Sequence, residues 1–364
     1  MSAPIDLPKW ADAGLIPVIN VVAAFVISGF VVLLIGENPL QAIGTLIWGA
    51  VGSGYALGYT LYYATNFMFT GLAVAVAFQA GLFNIGAEGQ AYIGGLGAAL
   101  VCLKFGYLPG IVLIPLAILA AIVFGAAWAG IPGYLQAKRG SHIVITTIMF
   151  NWLATTLMGY LLVKVLIEPG SMQPETAAFS ASSHLPKMRD MLALVGIDMQ
   201  PTPLNLAFPL ALLCAFGVWL LIWRSKLGYE IRTVGKNAVA AVYGGVSPPH
   251  IVIVTMAISG ALAGGLAVNE VLGVQNRLLL EFTQGYGFVG IAVALMGRGH
   301  PLGIVLASVL FGILYQGGSE LAFDMPKITR DMIVVIQGFV VLFAGALEGV
   351  FKRPLARLIE RRSG

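Results

Sequence analysis

Charge is scarce in this chain. Only 10% of its 364 residues are Asp, Glu, Lys or Arg, where soluble globular proteins carry about 25%, so an ordinary water-exposed surface is excluded. Cysteine is scarcer still. Cys102 and Cys214 both lie inside apolar runs, which suggests neither a disulfide framework nor a metal site and leaves them as small buried hydrophobes. The four histidines, His142, His184, His250 and His300, are scattered without metal-ligand spacing. No GxSxG elbow and no GxxxxGK[ST] phosphate loop is present, so hydrolytic chemistry in this chain lacks a motif, and any ATP-driven step must draw on another polypeptide. The opening MSAPIDLPKW lacks a basic n-region and a small-residue cleavage site, which predicts a first span retained as a signal anchor.

What is abundant is apolar length. Hydrophobic residues make up 59% of the chain, with 46 glycines and a mean hydropathy of +0.91. Runs of 18 or more apolar residues recur, each able to cross roughly 30 Å of hydrocarbon as a helix. The expected fold class is all-α: a polytopic membrane protein with about ten transmembrane helices, some of them discontinuous, forming a single domain over residues 1–364. The spans are Leu15–Ile35, Gly58–Leu82, Ala87–Leu103, Gly110–Pro132 and Ile143–Ile167, then Leu204–Trp223, Ile251–Val268, Gly285–Met296, Leu302–Gly317 and Met332–Leu347. The eighth is too short to cross alone and reads as broken or re-entrant.

An inside N-terminus places most of the basic residues on the inner face, among them Lys138, Arg139, Arg224, Lys226, Arg232, Lys236 and the cluster from Lys352 to Arg362. Lys/Arg excess marks cytoplasmic loops, so both termini are expected there. Residues 168–203, rich in Pro, Ser, Met and acidic residues, form an expected external loop with at most one short helix. Residues 224–250 form the longest inner segment. Within it Asn237 is placed to N-cap a short helix Ala238–Tyr243, Gly244 or Gly245 supplies its left-handed end, and Pro248 and Pro249 forbid continuation. Small residues Ala238, Ala240 and Ala241 would offer close approach to a partner, while Arg232 and Lys236 stay near phosphate headgroups or acidic groups. An ordinary basic loop is the plainer reading of the same residues.

The stretch Gln79–Gly97, QAGLFNIGAEGQAYIGGLG, breaks an apolar run with Asn84, Glu88 and Gln90 among close glycines. Ionisable groups at membrane depth are costly and mark functional candidates. Two accounts stand side by side: Asn84 caps the third helix with Glu88 in its first turn, or a discontinuous helix lines a solute path. GYGFVG, Gly285–Gly290, matches GxGxxG but lacks the preceding strand and the later acidic residue of a dinucleotide site, so it reads as close helix packing or an irregular pathway segment, with Tyr286 and Phe288 then available for stacking on a ligand. Asn66, Gln79, Asn151, Asn269, Glu270 and Gln337 are polar residues in or beside spans, mostly interhelical hydrogen-bond partners. Gly260 and Gly264 read as a packing notch.

The run Gly71–Gln90, the string TTIMFNWLA at Thr146–Ala154 and the segment Gly228–Pro248 together resemble the membrane permeases of bacterial ABC importers of the ribose/branched-chain amino acid class. Within that class they are most similar to the nucleoside (basic membrane protein-linked) branch, and to the larger of its two paired permeases. The resemblance covers nearly the whole chain and departs at Gln79, where the family often carries Arg. It implies a bacterial inner-membrane transport subunit and no catalysis in this chain, with ATP and Mg held by a partner ATPase. It also implies a second permease in a heterodimer and an extracytoplasmic solute-binding protein; the other contacts are a small-molecule solute and membrane lipid, with no nucleic acid. The coupling helix would be Glu230–Gly245, carrying Glu230, Arg232, Gly235, Asn237, Ala238, Ala240, Ala241, Gly244 and Gly245. The candidate pathway residues are Asn66, Phe83, Asn84, Glu88, Gln90, Asn151, Tyr286 and Phe288. The other possibilities are a permease for a simple sugar such as ribose and an ion-coupled secondary transporter with Glu88 as its proton or cation site.

Overall fold

The structure, a computed structural model, describes residues 15–342. Both chain ends, and with them the expected cytoplasmic termini and the basic cluster from Lys352, lie outside the described residues. The chain divides into two compact units, Met1–Thr60 with Ile313–Gly364, and Leu61–Gly312.

The described residues fold as helices, without a regular strand. In order they are α1 (Ile16–Leu34), α2 (Pro39–Val51), α3 (Gly54–Gln79), α4 (Ala87–Phe105), α5 (Gly110–Arg139), α6 (Ile143–Tyr160) and α7 (Met188–Ala193). There follow α8 (Ala207–Arg224), α9 (Lys226–Lys236), α10 (Ala238–Tyr243), α11 (Pro248–Ala267), α12 (Tyr286–Met296), α13 (Pro301–Asp324) and α14 (Arg330–Val341). Six helical stretches among the described residues are long and apolar enough to cross a membrane: Gly54–Gln79, Gly110–Arg139, Ile143–Val165, Ala207–Arg224, Pro248–Gln275 and Pro301–Asp324. A π-helical continuation extends α11 through Gln275, seven residues past the span expected from sequence.

In the first unit α1 is followed by a second apolar helix that sequence reasoning left as a connection. Asn38 caps α2 by accepting from the Leu40 and Gln41 amides, with Pro39 in the first turn. The pair Val22–Leu34 and Pro39–Val51 is bent by 119°.

In the second unit α4, α5 and α11 form the packed centre. Lipid tails offer helices no hydrophobic gain from association, so close backbone approach through small residues has to supply it. Gly94 on α4 leaves no room for a Cβ, which would lie 2.9 Å from the Gly264 Cα and 3.1 Å from the Ala121 carbonyl oxygen. Gly260 faces Gly125 in the same way, so the Gly260/Gly264 notch expected from sequence receives α5. The apolar windows of α5 and α6 are 22% buried against 83% for α3, which sets α3 in the protein interior and leaves α5 and α6 with broad outward faces.

The segment 168–203 is irregular apart from one 3-10 turn, Ala181–Ser183, and α7. Two isolated bridges, Glu175 to Leu279 and Lys187 to Asn205, tie it to the helices of its own unit. The Arg277–Glu175 ion pair at 2.8 Å reinforces the first.

Candidate functional site

The turn between α3 and α4 is a polar knot inside an apolar bundle. Asn84 is fully buried: its Oδ1 accepts from the Gly86 amide at 2.8 Å and from Gln90 Nε2 at 3.1 Å. Its Nδ2 donates to Gln90 Oε1 at 3.0 Å and to Ser259 Oγ on α11 at 2.8 Å. Ser259 passes the chain on to the Ala73 carbonyl at 2.6 Å. The N-cap of α4 is Gly86, so Asn84 holds the turn before the helix rather than the helix end itself. Asn151 on α6 staples the same turn, accepting from the Gly89 amide and donating to the Ile85 carbonyl, both at 2.9 Å.

Glu88 serves a different helix from the one it sits on. Its Oε1 accepts from the Gly285 amide at 2.9 Å and its Oε2 from the Gly287 amide at 2.7 Å. The carboxylate therefore caps α12, where the unpaired amides and the helix dipole favour an anion. Gly287 permits this, since a Cβ there would collide with the Glu88 backbone. Gly290 is likewise a packing residue, its Cβ position 2.6 Å from Thr70, whereas Gly285 at φ 79° has open space around it and borders the cavity described below.

A second buried network surrounds Glu270, in the π-helical turn after α11. Its Oε1 accepts from Tyr62 Oη and Asn66 Nδ2, each at 2.5 Å, and Oε2 from Gln275 at 3.3 Å. Asn269 donates to Asn66 Oδ1 at 2.8 Å and accepts from Asn205 at 2.9 Å, and Asn205 accepts from the Ala207 amide at the start of α8. Lys187 reaches this turn through the Gly273 carbonyl at 2.5 Å. Burial pushes the Lys187 ammonium below the usual lysine range, against the opposing pull of Asp190 and Glu270.

Beside the first knot lies a cavity of about 500 Å³, lined in part by Glu88, Tyr92, Asn151, Trp152, Thr155, Glu281, Gln284 and Phe288. Of the eight sequence-predicted pathway residues, Glu88, Asn151 and Phe288 border it. Asn84 and Gln90 lie buried in the knot, and Asn66 belongs to the Glu270 network. Tyr286 is 2% exposed and stands edge-on to Phe67, so it packs rather than stacks on a ligand. Phe83 stacks on Phe78 with its face half-open. Sequence reasoning missed Tyr92, Trp152, Glu281 and Gln284. The local signal available was the Glu-Phe-Thr-Gln-Gly turn, in which Glu281 at φ 58° and Gln284 at φ 44° both adopt the left-handed conformation. Each such non-glycine residue costs roughly 1 kcal/mol or more, a strain that clusters at functional sites.

On the other segment of interest, the short helix forms as expected. Asn237 caps α10 through the Val239 and Ala240 amides at 3.0 Å, and Gly245 follows in the left-handed region at φ 76°. Pro248 and Pro249 then open α11. The preceding α9 was not foreseen. Ser225 caps it, Arg232 donates to the Ile222 carbonyl, and Ile231 and Val234 are buried. Glu230, half-buried, makes a long pair with the exposed Lys226 at 3.8 Å. At its end Gly235 abuts the Gln79–Ala80 backbone, where a Cβ would lie 2.9 Å from the Ala80 carbonyl carbon. Gln79, on the same turn, donates to the Gly299 carbonyl at 3.2 Å. One expectation needs correcting: Ala241 is fully buried, not exposed, because its side of the six-residue helix faces inward. Ala238 and Ala240 are exposed with Lys236 and Gly244, and the large apolar side chains on the open side are Val239, Val242 and Tyr243.

Residues 56–345 match the family described as branched-chain amino acid transport system / permease component. The chain belongs to this permease family. It is a multi-pass membrane protein and a transport component, which leaves the Glu88 ion-coupled reading without its class. This permease is 34% identical to the guanosine ABC transporter permease of Bacillus subtilis, over 91% of this chain and 93% of that protein. It is 32% identical to the nucleoside ABC transporter permease of Lactococcus lactis over 90% of each. It is also 33% identical to the glucose ABC transporter permease of Haloferax volcanii, over 95% of this chain and 90% of that one. No solved structure matches it.

Proposed function

We propose that this permease carries nucleosides inward in an ATP-driven importer. The observation that carries the reading is the likeness to nucleoside and guanosine permeases across about nine-tenths of both chains. The site supports it: the cavity joins aromatic faces to uncharged and acidic hydrogen-bonding groups, as a neutral hydroxylated aromatic solute requires. The finer topology belongs to the same proposal. About ten spans form one permease domain in a bacterial inner membrane, with both termini cytoplasmic and residues 168–203 external. A second permease completes the path, an external binding protein delivers the solute, and a separate ATPase holds ATP and Mg.

In this reading α10 is the coupling helix. Its open apolar side, Val239, Val242 and Tyr243, meets the ATPase. Closure of the ATPase displaces α10 and α9, and Gly235 carries the displacement to the Gln79–Ala80 backbone. The Asn84 knot and the Glu88 clamp on α12 then move the cavity wall between its two settings.

The test is uptake in proteoliposomes containing the permease with its ATPase, paired permease and binding protein. Radiolabelled guanosine should enter only with ATP and should resist excess unlabelled glucose or ribose. ATP-dependent entry of glucose or ribose instead would favour a sugar permease, the reading that the Haloferax relative supports.

A further inference from the structure

The cavity has two unlike edges. Trp152 and Phe288 form an aromatic edge, Glu281 with Gln284 forms a polar one, and Tyr92, buried against Phe282, lies beneath them. The other polar groups at the wall are already committed: Glu88 to the α12 amides and Asn151 to the α4 turn. Glu281 differs. Its side chain makes no hydrogen bond or ion pair with any described residue and is exposed, yet its backbone is fixed in the left-handed region, with its amide donating to the Tyr92 hydroxyl. A carboxylate with no partner among the described residues, held on a strained and tethered backbone at a cavity wall, is placed to meet a ligand.

The chemistry of the two edges narrows the ligand. The aromatic edge asks for a π face, which a simple sugar lacks. A carboxylate presents two acceptor oxygens side by side, matching the two hydroxyl donors of a vicinal diol. The same carboxylate has no cation paired with it among the described residues and repels a phosphate, so a nucleotide is disfavoured against a nucleoside. About 500 Å³ is adequate for one nucleoside. Resting on the permease reading above, the geometry points to Glu281 as the residue that reads the ribose 2′,3′-diol of a nucleoside, with the base against Trp152 and Phe288. It is a specificity element in the permease itself, additional to any selection by a binding protein.

The test is equilibrium binding to the full chain in nanodiscs with no binding protein present, using inosine, 2′,3′-dideoxyinosine and inosine 5′-monophosphate as probes. Wild type should bind inosine at least about tenfold more tightly than either of the others. Glu281→Gln should weaken inosine to the dideoxyinosine level and leave dideoxyinosine unchanged, while thermal stability stays at the wild-type value because the carboxylate has no partner. Trp152→Ala should weaken inosine and dideoxyinosine alike. The proposal is overturned if Glu281→Gln keeps the preference for inosine, if wild type binds the two equally, or if inosine does not bind. Each of these results leaves the permease reading standing where ATP-driven guanosine uptake by the complete transporter persists, and only loss of that uptake removes the reading beneath.

Discussion

The turn before α4 and the helix α10 invert the usual arrangement of a membrane protein. The first places amides, a hydroxyl and a carboxylate where apolar side chains are expected, and nearly every one of those groups has a partner. The second turns Val239, Val242 and Tyr243 outward from a segment that is otherwise basic. Polarity inside and apolarity outside point to different tasks: the knot braces the helices against one another, and α10, in the reading proposed above, docks the ATPase. A buried polar group with all its bonds made is a structural part, whereas a cluster of exposed apolar side chains in a basic segment is open to lipid or to a partner.

The largest expected effect breaks the brace. Glu88→Leu leaves the Gly285 and Gly287 amides without an acceptor, and hydrogen bonds to a charged group contribute roughly 1.5–3 kcal/mol each, so the detergent-solubilised protein should lose about 3 kcal/mol or more in thermal or denaturant unfolding. Glu88→Gln, which keeps one acceptor oxygen, should recover part of that loss. Asn84→Leu comes next, at about 1–3 kcal/mol for the stranded Gln90 and Ser259 groups, read in the same melts. If both variants melted like wild type and failed only in uptake, the knot would be a solute contact after all.

On the other side of the comparison, Gly235→Val should leave the complex assembled but cut the coupling of ATP hydrolysis to uptake by about tenfold, since its Cβ has no room beside the Gln79–Ala80 backbone. Val242→Asp should weaken co-purification with the ATPase by about tenfold without lowering the melting temperature. Ala241 is the sharpening control: being buried, its replacement by a large charged residue should destabilise the protein before it affects docking. The smallest effect belongs to Glu230→Gln, expected within about 0.5 kcal/mol of wild type because its pair with the exposed Lys226 is long.

What could be read from the sequence was whatever is specified locally. Asn237, Gly245 and the Pro248–Pro249 pair carry their signals within a dozen residues, and α10 formed where they put it. The apolar helices were legible from length, and the small-residue notch of α11 from spacing. The helix α2 was passed over although Asn38 and Pro39 announce it, because its thirteen residues are too few to cross a bilayer alone. The site was harder to read for a different reason. Glu88 meets its amides 197 and 199 residues away, and Glu270 meets Tyr62 and Asn66 at separations of 208 and 204. A carboxylate's local neighbours say that it must be satisfied, not by whom. The inward side of α10 was equally hidden, since six residues make too short a period to distinguish Ala241 from Ala240.

The Glu88 clamp also sets a limit on how the molecule can change shape. Pulling the start of α12 away from the start of α4 would break two charge-assisted hydrogen bonds to one carboxylate at once. The two helix starts must therefore travel as a single rigid piece, however far the rest of the bundle shifts. A pair of spin labels, one near each start, should keep a constant separation through every stage of the transport cycle.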